Sequence, residues 1–371
     1  MTTIDRPSGP LAIQPAPEAA AELVTIDDIR GAAERIAGVA LRSPLLPFGP
    51  PDGADPLGRP RVWLKAESLQ PIGAFKIRGA MNAISQLAPE QRAAGVISHS
   101  SGNHAQAVAR VARLLGVRAV IVMPSDAPAL KVARVRADGA EVVVVGPSSD
   151  ERAEKAAELA ARDGLTLVPP YDDPAIIAGQ GTCGLEIVEQ VEELDAAPMG
   201  DIPSGAPEMP PPSLTVLVQI SGGGLSSGVA TAVKSLRPDA HVFGVEPAVA
   251  ADARDSLREG RIVRWDPELT ARTIADGQRA TQVGRLPFAH LRRYLDGIIA
   301  VEEVEIRRAM ARAARDARLV LEPSGATALA AWLFHAAEVP REGRVVCVLS
   351  GGNVDPERYA TFVAEGMAAG G

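Results

Sequence analysis

Short apolar runs alternate with segments of helical periodicity along most of this chain, and this alternation restricts its fold more than any other feature. The runs, bounded by Gly, Pro or Asp, predict strands over 94–98, 119–123, 141–145, 165–168, 214–220, 242–245 and 345–349. The segments between them predict helices over 103–115, 127–136, 151–161, 181–191 and 225–236. Continuously apolar strands alternating with amphipathic helices are typical of parallel sheets covered on both faces. Ligands of such sheets bind beyond the carboxyl ends of the strands.

Composition excludes several classes of function. With 371 residues, 46% of them hydrophobic, the chain is long enough for a large core. The net charge is −8 and no Lys/Arg cluster stands out, so nothing favours binding to nucleic acid or to an anionic membrane. Cys183 and Cys347 lie in a predicted helix and a predicted strand, as expected of core thiols in a reducing compartment. We find neither a signal peptide nor an apolar span of eighteen residues, and we expect a cytoplasmic protein.

Two irregular stretches interrupt the pattern. Residues 1–24 contain five alanines and four prolines without a periodic apolar face, which predicts a flexible tail. Thr25, followed by Ile and two aspartates, predicts the start of the first helix. Residues 197–213 hold six prolines and two glycines between a predicted helix and a predicted strand. We interpret this second stretch as a surface insertion.

Lys76 is the strongest candidate for a catalytic residue in the sequence. Residues 71–80 read Pro-Ile-Gly-Ala-Phe-Lys-Ile-Arg-Gly-Ala, a Gly-flanked loop that leads into helical apolar spacing. A lysine held between Phe75 and Ile77 at a loop–helix junction can have a lowered pKa and act as a Schiff-base nucleophile. The alternative, a solvated lysine at the start of a helix, is the commoner outcome for such a motif taken alone.

A glycine-rich loop, Ser221-Gly222-Gly223-Gly224-Leu225, joins a predicted strand to a predicted helix. Glycines let the backbone approach an anion, and a helix N-terminus offers unpaired N–H groups to a phosphate. The alternative is a tight turn that serves only strand–helix packing. A dinucleotide site is not indicated, because the chain lacks G-x-G-x-x-G followed by an acidic residue about twenty positions later.

Two further loops follow predicted strands, Ser100-Ser101-Gly102-Asn103-His104 and Ser350-Gly351-Gly352-Asn353. Taken separately, the first is also explained as a helix cap and the second as a turn. Together with the glycine-rich loop they fall at the carboxyl ends of predicted parallel strands. Three polar loops are therefore expected at the edge where such sheets bind ligands.

These three loops, the lysine segment and Glu67-Ser68-Leu69-Gln70 resemble, in order and spacing, the serine/threonine dehydratase and serine racemase family. That family uses pyridoxal phosphate on the tryptophan-synthase-β-like fold, called fold type II. The resemblance implies a two-lobed, three-layer α/β/α architecture and a homodimer. It places a large cofactor domain in residues 25–94 and 174–371 and a small substrate-loop domain in residues 95–173.

The resemblance also implies roles for individual residues. Ser100, Ser101, Gly102, Asn103 and His104 form the substrate-carboxylate loop, with Ser101 facing the ring opposite Lys76, although His104 itself is interpreted as structural. The cofactor residues are Lys76 as its Schiff-base partner, Phe75 and Gly277 at the ring faces, Asn103 at the phenolic oxygen, Ser350 at the pyridine nitrogen, and Ser221, Gly222, Gly223, Gly224 and Leu225 at the phosphate.

A cation site is the last implied feature. Glu246, the carbonyl of Ala250 and Asp252 resemble an oxygen-ligand site that suits Mg²⁺, Mn²⁺ or Ca²⁺. Two solvated carboxylates near a helix start are the alternative. The chain departs from the family at Ile72 and Ala74, where hydroxyl residues are usual, and at Pro71-Ile72, where animal serine racemases have a nucleotide-contacting Lys-Thr pair.

The implied activity is the α,β-elimination of L-threonine or L-serine to a 2-oxo acid and ammonia. Serine racemisation and dehydration of threo-3-hydroxyaspartate are alternatives within the same site. A β-replacement synthase and a non-catalytic pyridoxal-phosphate-binding protein rank lower. Racemisation needs a proton donor or acceptor on each face of the planar carbanion, and Lys76 can serve only one face. Ser101 is therefore the residue expected to decide whether a D-amino acid is formed beside the elimination product.

Overall fold

A computed structural model describes residues 22–49, 61–100, 102–127, 129–146, 149–196, 212–340 and 342–371. The strands in these ranges are β1 (Leu45–Phe48), β2 (Val62–Lys65), β3 (Val96–His99), β4 (Ala119–Pro124), β5 (Glu141–Val145), β6 (Thr166–Leu167), β7 (Leu214–Gln219), β8 (His241–Pro247), β9 (Gly297–Val301) and β10 (Arg344–Val348). They form one sheet in the order β1-β2-β10-β7-β8-β9 and a second in the order β5-β4-β3-β6. All neighbouring strands are parallel except β1 and β2.

Helices cover the sheets. They are α1 (Ile26–Ile36), α2 (Lys76–Ser85), α3 (Pro89–Ala94), α4 (Asn103–Leu115), α5 (Ala129–Ala137), α6 (Ser149–Asp163), α7 (Pro174–Ala196), α8 (Gly224–Leu236), α9 (Asp252–Glu259), α10 (Pro267–Thr270), α11 (Arg285–Tyr294), α12 (Glu303–Arg312), α13 (Pro323–His335) and α14 (Pro356–Ala368). Short 3₁₀ turns include Glu67–Leu69 and Asp276–Gln278. None of the described helices is long and apolar enough to cross a membrane.

The seven predicted strands are confirmed to within about two residues, but β1, β2 and β9 were not predicted. β1 contains Pro47 and β2 has only three apolar residues before Lys65, so neither shows a long apolar run. β9 does contain such a run, Ile-Ile-Ala-Val after Gly297, which sequence reasoning missed. Lys65 is fully buried in β2 because its ammonium donates to the Ser43 carbonyl and to Glu186. Tertiary partners, rather than local pattern, account for this strand.

The predicted helix start at Thr25 is confirmed. The Thr25 hydroxyl accepts a hydrogen bond from the amide of Asp28, and the Asp28 carboxylate accepts one from the amide of Thr25. This reciprocal capping box satisfies amide groups that the first helical turn leaves unpaired. Residues 1–21 and 197–211, which contain most of the predicted tail and insertion, lie outside the described residues.

Close glycine contacts hold α2, α7 and α8 together. A side chain on Gly179 would place its Cβ 2.6 Å from the Cα of Gly79, and one on Gly228 would lie 2.4 Å from the amide nitrogen of Gly181. The helix axes therefore approach more closely than larger residues allow. Since α2 begins at Lys76 and α8 begins at Gly224 within the glycine-rich loop, this packing fixes the lysine relative to that loop.

The three polar loops lie where the sequence places them. β3 ends at His99, β7 at Gln219 and β10 at Val348, and each is followed by one of the loops. The two sheets match the architecture expected of a two-lobed α/β/α protein. The division into domains of residues 25–94 with 174–371 and 95–173 remains a prediction.

Candidate active site

Lys76 is the first residue of α2, so its predicted loop position is corrected to the start of the helix. Its ammonium donates a hydrogen bond of 2.5 Å to the carbonyl of Pro170 and lies 5.1 Å from the centroid of the Phe75 ring. Burial lowers the pKa of Lys76 to about 8. A substantial fraction of this amine is therefore uncharged at mildly alkaline pH, as a nucleophile or base requires.

The segment after β6 accepts hydrogen bonds from several site residues, and sequence reasoning missed it. The Val168 carbonyl accepts hydrogen bonds from the Ser98 hydroxyl and from the His104 ring, and the Pro170 carbonyl accepts from Lys76. The Asp172 carboxylate accepts from two backbone amides at the start of α11. The adjacent prolines at 169 and 170 were the available signal, because they provide carbonyl acceptors without amide donors.

The glycine-rich loop packs against the same segment. A side chain on Gly222 would place its Cβ 2.2 Å from the ring of Tyr171, so this glycine is required by contact with an aromatic residue. Gly223 has φ +94°, a left-handed conformation that favours glycine. Leu225 is buried in the large-sheet core, so only its backbone amide can face a ligand. The first amides of α8 have no acceptors within the helix and are suited to an anion.

The side-chain amide of Asn103, the first residue of α4, is held on both sides. Its nitrogen donates to the Glu322 carboxyl at 2.6 Å, and its oxygen accepts from the Asn353 amide at 2.9 Å. Asn353 also donates to the carbonyl of Ile72 and accepts from Arg134. These contacts bring the loop after β3, the loop after β10 and the segment before Lys76 into one cluster.

Ser350 and Gly277 lie beside this cluster. The Ser350 carbonyl accepts a hydrogen bond from the amide of Phe75, which ties the end of β10 to the residue before Lys76. Ser350 is buried at 4% exposure, although its sequence position suits a turn serine. The amide of Gly277 donates to the Ser324 hydroxyl at the start of α13.

The substrate loop is described in part. Ser101 lies outside the described residues, and the Ser100 hydroxyl accepts from the amide of Gly102. His104 is buried, and burial with the nearby Lys76 charge lowers its pKa to about 3. The neutral ring bonds to the Val168 carbonyl, which agrees with a structural role. Contact of His104 with substrate remains a prediction.

The predicted cation residues are buried rather than solvated. The Glu246 carboxylate accepts from the amides of Ala253 and Arg254, and one carboxylate oxygen of Asp252 is buried without a hydrogen-bond partner. Burial and the neighbouring Asp252 charge raise the pKa of Glu246, and burial raises that of Asp252 to about 8. Within the described ranges no three His, Cys, Asp or Glu side chains form a metal cluster. The orphaned Asp252 oxygen is compatible with a hard cation, and the site formed by Glu246, the Ala250 carbonyl and Asp252 remains a prediction.

The chemical groups that the site residues present also fit a pyridoxal-phosphate cofactor. Lys76 supplies a buried amine with a lowered pKa, and the N-terminus of α8, which begins at the third glycine, supplies amides that have no acceptor within the helix and no side-chain cap. Asn103 is linked through Asn353 to the Ile72 carbonyl and Ser350 accepts from the Phe75 amide, so both residues are tied to the lysine segment. The individual cofactor contacts remain predictions.

Comparisons with known proteins agree with this chemistry. The chain matches the family of pyridoxal-phosphate dependent enzymes over residues 41–351. It is 41% identical to an L-threo-3-hydroxyaspartate ammonia-lyase of Saccharomyces cerevisiae, covering 92% of this chain and 96% of that protein. It is 39% identical to a serine racemase of Schizosaccharomyces pombe, covering 92% and 98%. Among solved structures it resembles a threonine deaminase from T.th. at 42% identity and a TM-score of 0.77, covering 89% and 99%.

The chain belongs to the pyridoxal-phosphate dependent enzyme family. The predicted cofactor and the fold type II architecture are thereby confirmed.

Proposed function

We propose that this chain is an ammonia-lyase that converts a β-hydroxy amino acid, L-threonine or L-serine, to a 2-oxo acid and ammonia. The observation that carries the proposal is the buried Lys76 amine, whose pKa is lowered to about 8 at the edge of the sheets. The names of the relatives, which are two ammonia-lyases or deaminases and a racemase, support an amino acid as substrate.

In this proposal each group of site residues has a separate role, which follows from its position. Bound pyridoxal phosphate supplies an electron sink for the substrate α-carbon. The N-terminus of α8 binds the phosphate, and the amides and hydroxyls of residues 100–104 bind the substrate carboxylate. The Lys76 amine accepts the α-proton, while the Ser350 hydroxyl contacts the pyridine nitrogen without placing a formal charge there.

Serine racemisation and threo-3-hydroxyaspartate dehydration remain the second candidates, because relatives named for each match nearly the whole chain. Incubation with each amino acid, followed by keto-acid assay and chiral chromatography, separates the three reactions. If D-serine forms, Ser101→Ala should abolish it and leave oxo-acid release from L-threonine, since elimination needs a base on one face only.

Lys76→Ala tests the core of the proposal. We expect the purified variant to lose both the visible absorbance of the bound cofactor and all turnover, with unchanged far-ultraviolet circular dichroism. Borohydride reduction and peptide mapping of the wild type should find the cofactor on Lys76. Lys155→Ala, which removes a lysine paired with Glu158 on the surface, is the matched control and should behave as wild type. A cofactor adduct on another lysine would contradict the proposal.

We also propose a homodimer in the cytoplasm, as the resemblance implies. Cys183 and Cys347 are both free and buried, which is compatible with a reducing compartment. Sedimentation of the purified protein tests the oligomeric state, and fractionation of the source cells tests the location.

A further inference from the structure

Glu322 is a buried carboxyl that has no assigned part in the proposed reaction. It is 3% exposed and occupies the N-cap position of α13, but its side chain makes no capping hydrogen bond. The carboxyl instead accepts a hydrogen bond of 2.6 Å from the side-chain nitrogen of Asn103, which lies 219 residues away in the sequence. Local helix capping therefore does not explain this residue.

The contact fixes which way the Asn103 amide is turned. Asn103 directs its nitrogen to Glu322 and its oxygen to Asn353, so the two neighbours together favour one of the two amide orientations. An amide nitrogen carries two N–H groups, and Glu322 accepts one of them. The second N–H remains for a ligand in the cleft.

Opposed charges surround the Glu322 carboxyl. Asp276 faces it from the 3₁₀ turn, Lys131 faces it from α5, and these two are themselves paired at 2.6 Å. α4 contributes the neutral Asn103 amide, and the loop after β10 contributes Gly351, where a Cβ would clash with a carboxyl oxygen of Glu322. Burial first and then Asp276 raise the pKa of Glu322 to about 8, while Lys131 and Asn103 oppose the rise.

We propose that Glu322 is a positioning residue that orients the Asn103 amide toward the cofactor. The strength of its hydrogen bond with Asn103 depends on whether the Glu322 carboxyl is protonated. The inference rests on the cofactor role proposed for Asn103. A carboxylate accepts a hydrogen bond roughly twice as strong as a neutral acid does. Loss of the proton therefore tightens the Asn103 contact and brings a negative charge close to the bound ring.

The first test is a pH titration of the cofactor's visible absorbance in the loaded protein. We expect the wild type to show a spectral step with a midpoint near 8, and Glu322→Gln to keep the cofactor but lose the step. Lys131→Gln should move the midpoint to higher pH, because it removes the attraction to the carboxylate. Asp276→Asn should move it to lower pH, because it removes the repulsion. A purely structural Glu322 would give none of these opposite shifts.

A double-mutant cycle tests whether Glu322 acts through Asn103. Glu322→Ala and Asn103→Ala should each weaken cofactor binding by roughly tenfold, and the double variant should be no weaker than Asn103→Ala alone. Independent, additive losses would overturn the inference, as would an unchanged spectral step in Glu322→Gln. If Glu322→Ala does not fold, the shape-conserving Gln variant still decides.

The two proposals fail in different ways. Borohydride mapping is done on every variant, so a wild type without cofactor on Lys76 contradicts the proposed function itself. Cofactor on Lys76 together with an unaltered titration in Glu322→Gln contradicts only the role of Glu322.

Discussion

Two groups of buried charges in this protein have opposite balance. In the first, Arg78 and Lys65 lie against Glu67 and Glu186, so two cations meet two anions. In the second, Glu246 and Asp252 lie together, and within the described residues neither forms an ion pair, since the charge of Arg254 only partly offsets the effects that raise the pKa of Glu246. Both groups are buried except for Glu186, whose side chain is 14% exposed. They differ in whether the chain itself supplies the countercharge.

The titration behaviour follows from that difference. Burial alone would raise the pKa of Glu67, but the charge and hydrogen bonds of Arg78 outweigh it and lower the pKa. Burial and mutual repulsion act in the same direction on Glu246 and raise its pKa. The first group is complete, which suits a structural role beside α2. The second needs a proton or a bound cation, which suits a ligand site.

The largest expected effect is the loss of the balanced group. Glu67→Gln keeps the shape of the side chain but leaves Arg78 short of an anion in a site with no exposure. We expect the free energy of unfolding to fall by about 3 kcal/mol or more, since breaking a buried pair leaves an uncompensated charge. Denaturant unfolding at neutral pH measures the loss.

The wild type should show the corresponding pH dependence. Because the pKa of Glu67 is lowered in the folded protein, its contribution is present above the unfolded pKa near 4.5 and is lost as the pH falls through the folded value. A Glu67→Gln variant as stable as wild type at neutral pH would show that the group is not required for stability.

The unbalanced pair gives the next largest effect. We expect Ca²⁺ or Mg²⁺ to raise the melting temperature of the wild type, because binding adds about 2.7 kcal/mol to the free energy of unfolding when the free cation is at a hundred times its Kd. The variant with both Glu246→Gln and Asp252→Asn should not respond to cation. Without cation it should be more stable than wild type at alkaline pH, because it removes the repulsion.

The sign of the pH dependence is opposite to that of Glu67. Burial and the Asp252 charge raise the folded pKa of Glu246, and burial raises that of Asp252, so the cation-free protein is stabilised at acid pH and loses this contribution as the pH rises through about 8 for Asp252. The cation effect should grow over the same range. Glu259→Gln, on the same helix but outside the pair, is the control and should respond as wild type does. An equal response of the double variant would contradict the site.

The comparison also shows how far the sequence could predict this molecule. Alternating patterns are local, and they located the strands and the three polar loops, because each element is encoded by adjacent residues. Arg78 and its partner Glu186 are 108 residues apart in the sequence. Asn103 and its partner Glu322 are 219 residues apart. No local pattern reports such pairings. A lone glutamate in the apolar run before Pro323 was the one available signal for Glu322.

The smallest expected effect on stability comes from an exposed ion pair with the same geometry as the buried Arg78–Glu67 pair, so it separates the effect of burial from that of geometry. Arg118 holds Glu141 through the same two guanidinium nitrogens, Nε at 2.7 Å and Nη2 at 3.0 Å, that Arg78 uses toward Glu67 at 2.8 and 2.7 Å. The Arg118–Glu141 pair is exposed, at 43% and 56% of the two side chains. Water screens such a pair, and ordering two long side chains offsets most of the attraction.

Glu141→Gln should therefore lower the free energy of unfolding by no more than about 0.5 kcal/mol, and added salt should remove even that difference. The measurement is the same denaturant titration used for Glu67→Gln, at low and high ionic strength. Salt should leave the Glu67→Gln difference almost unchanged, because solvent ions do not reach that group. If the two substitutions cost the same, the two-point geometry of the arginine would determine the energy. If they differ as expected, the decisive variable is removal from water, which is also the condition that makes the Glu246–Asp252 pair depend on a cation.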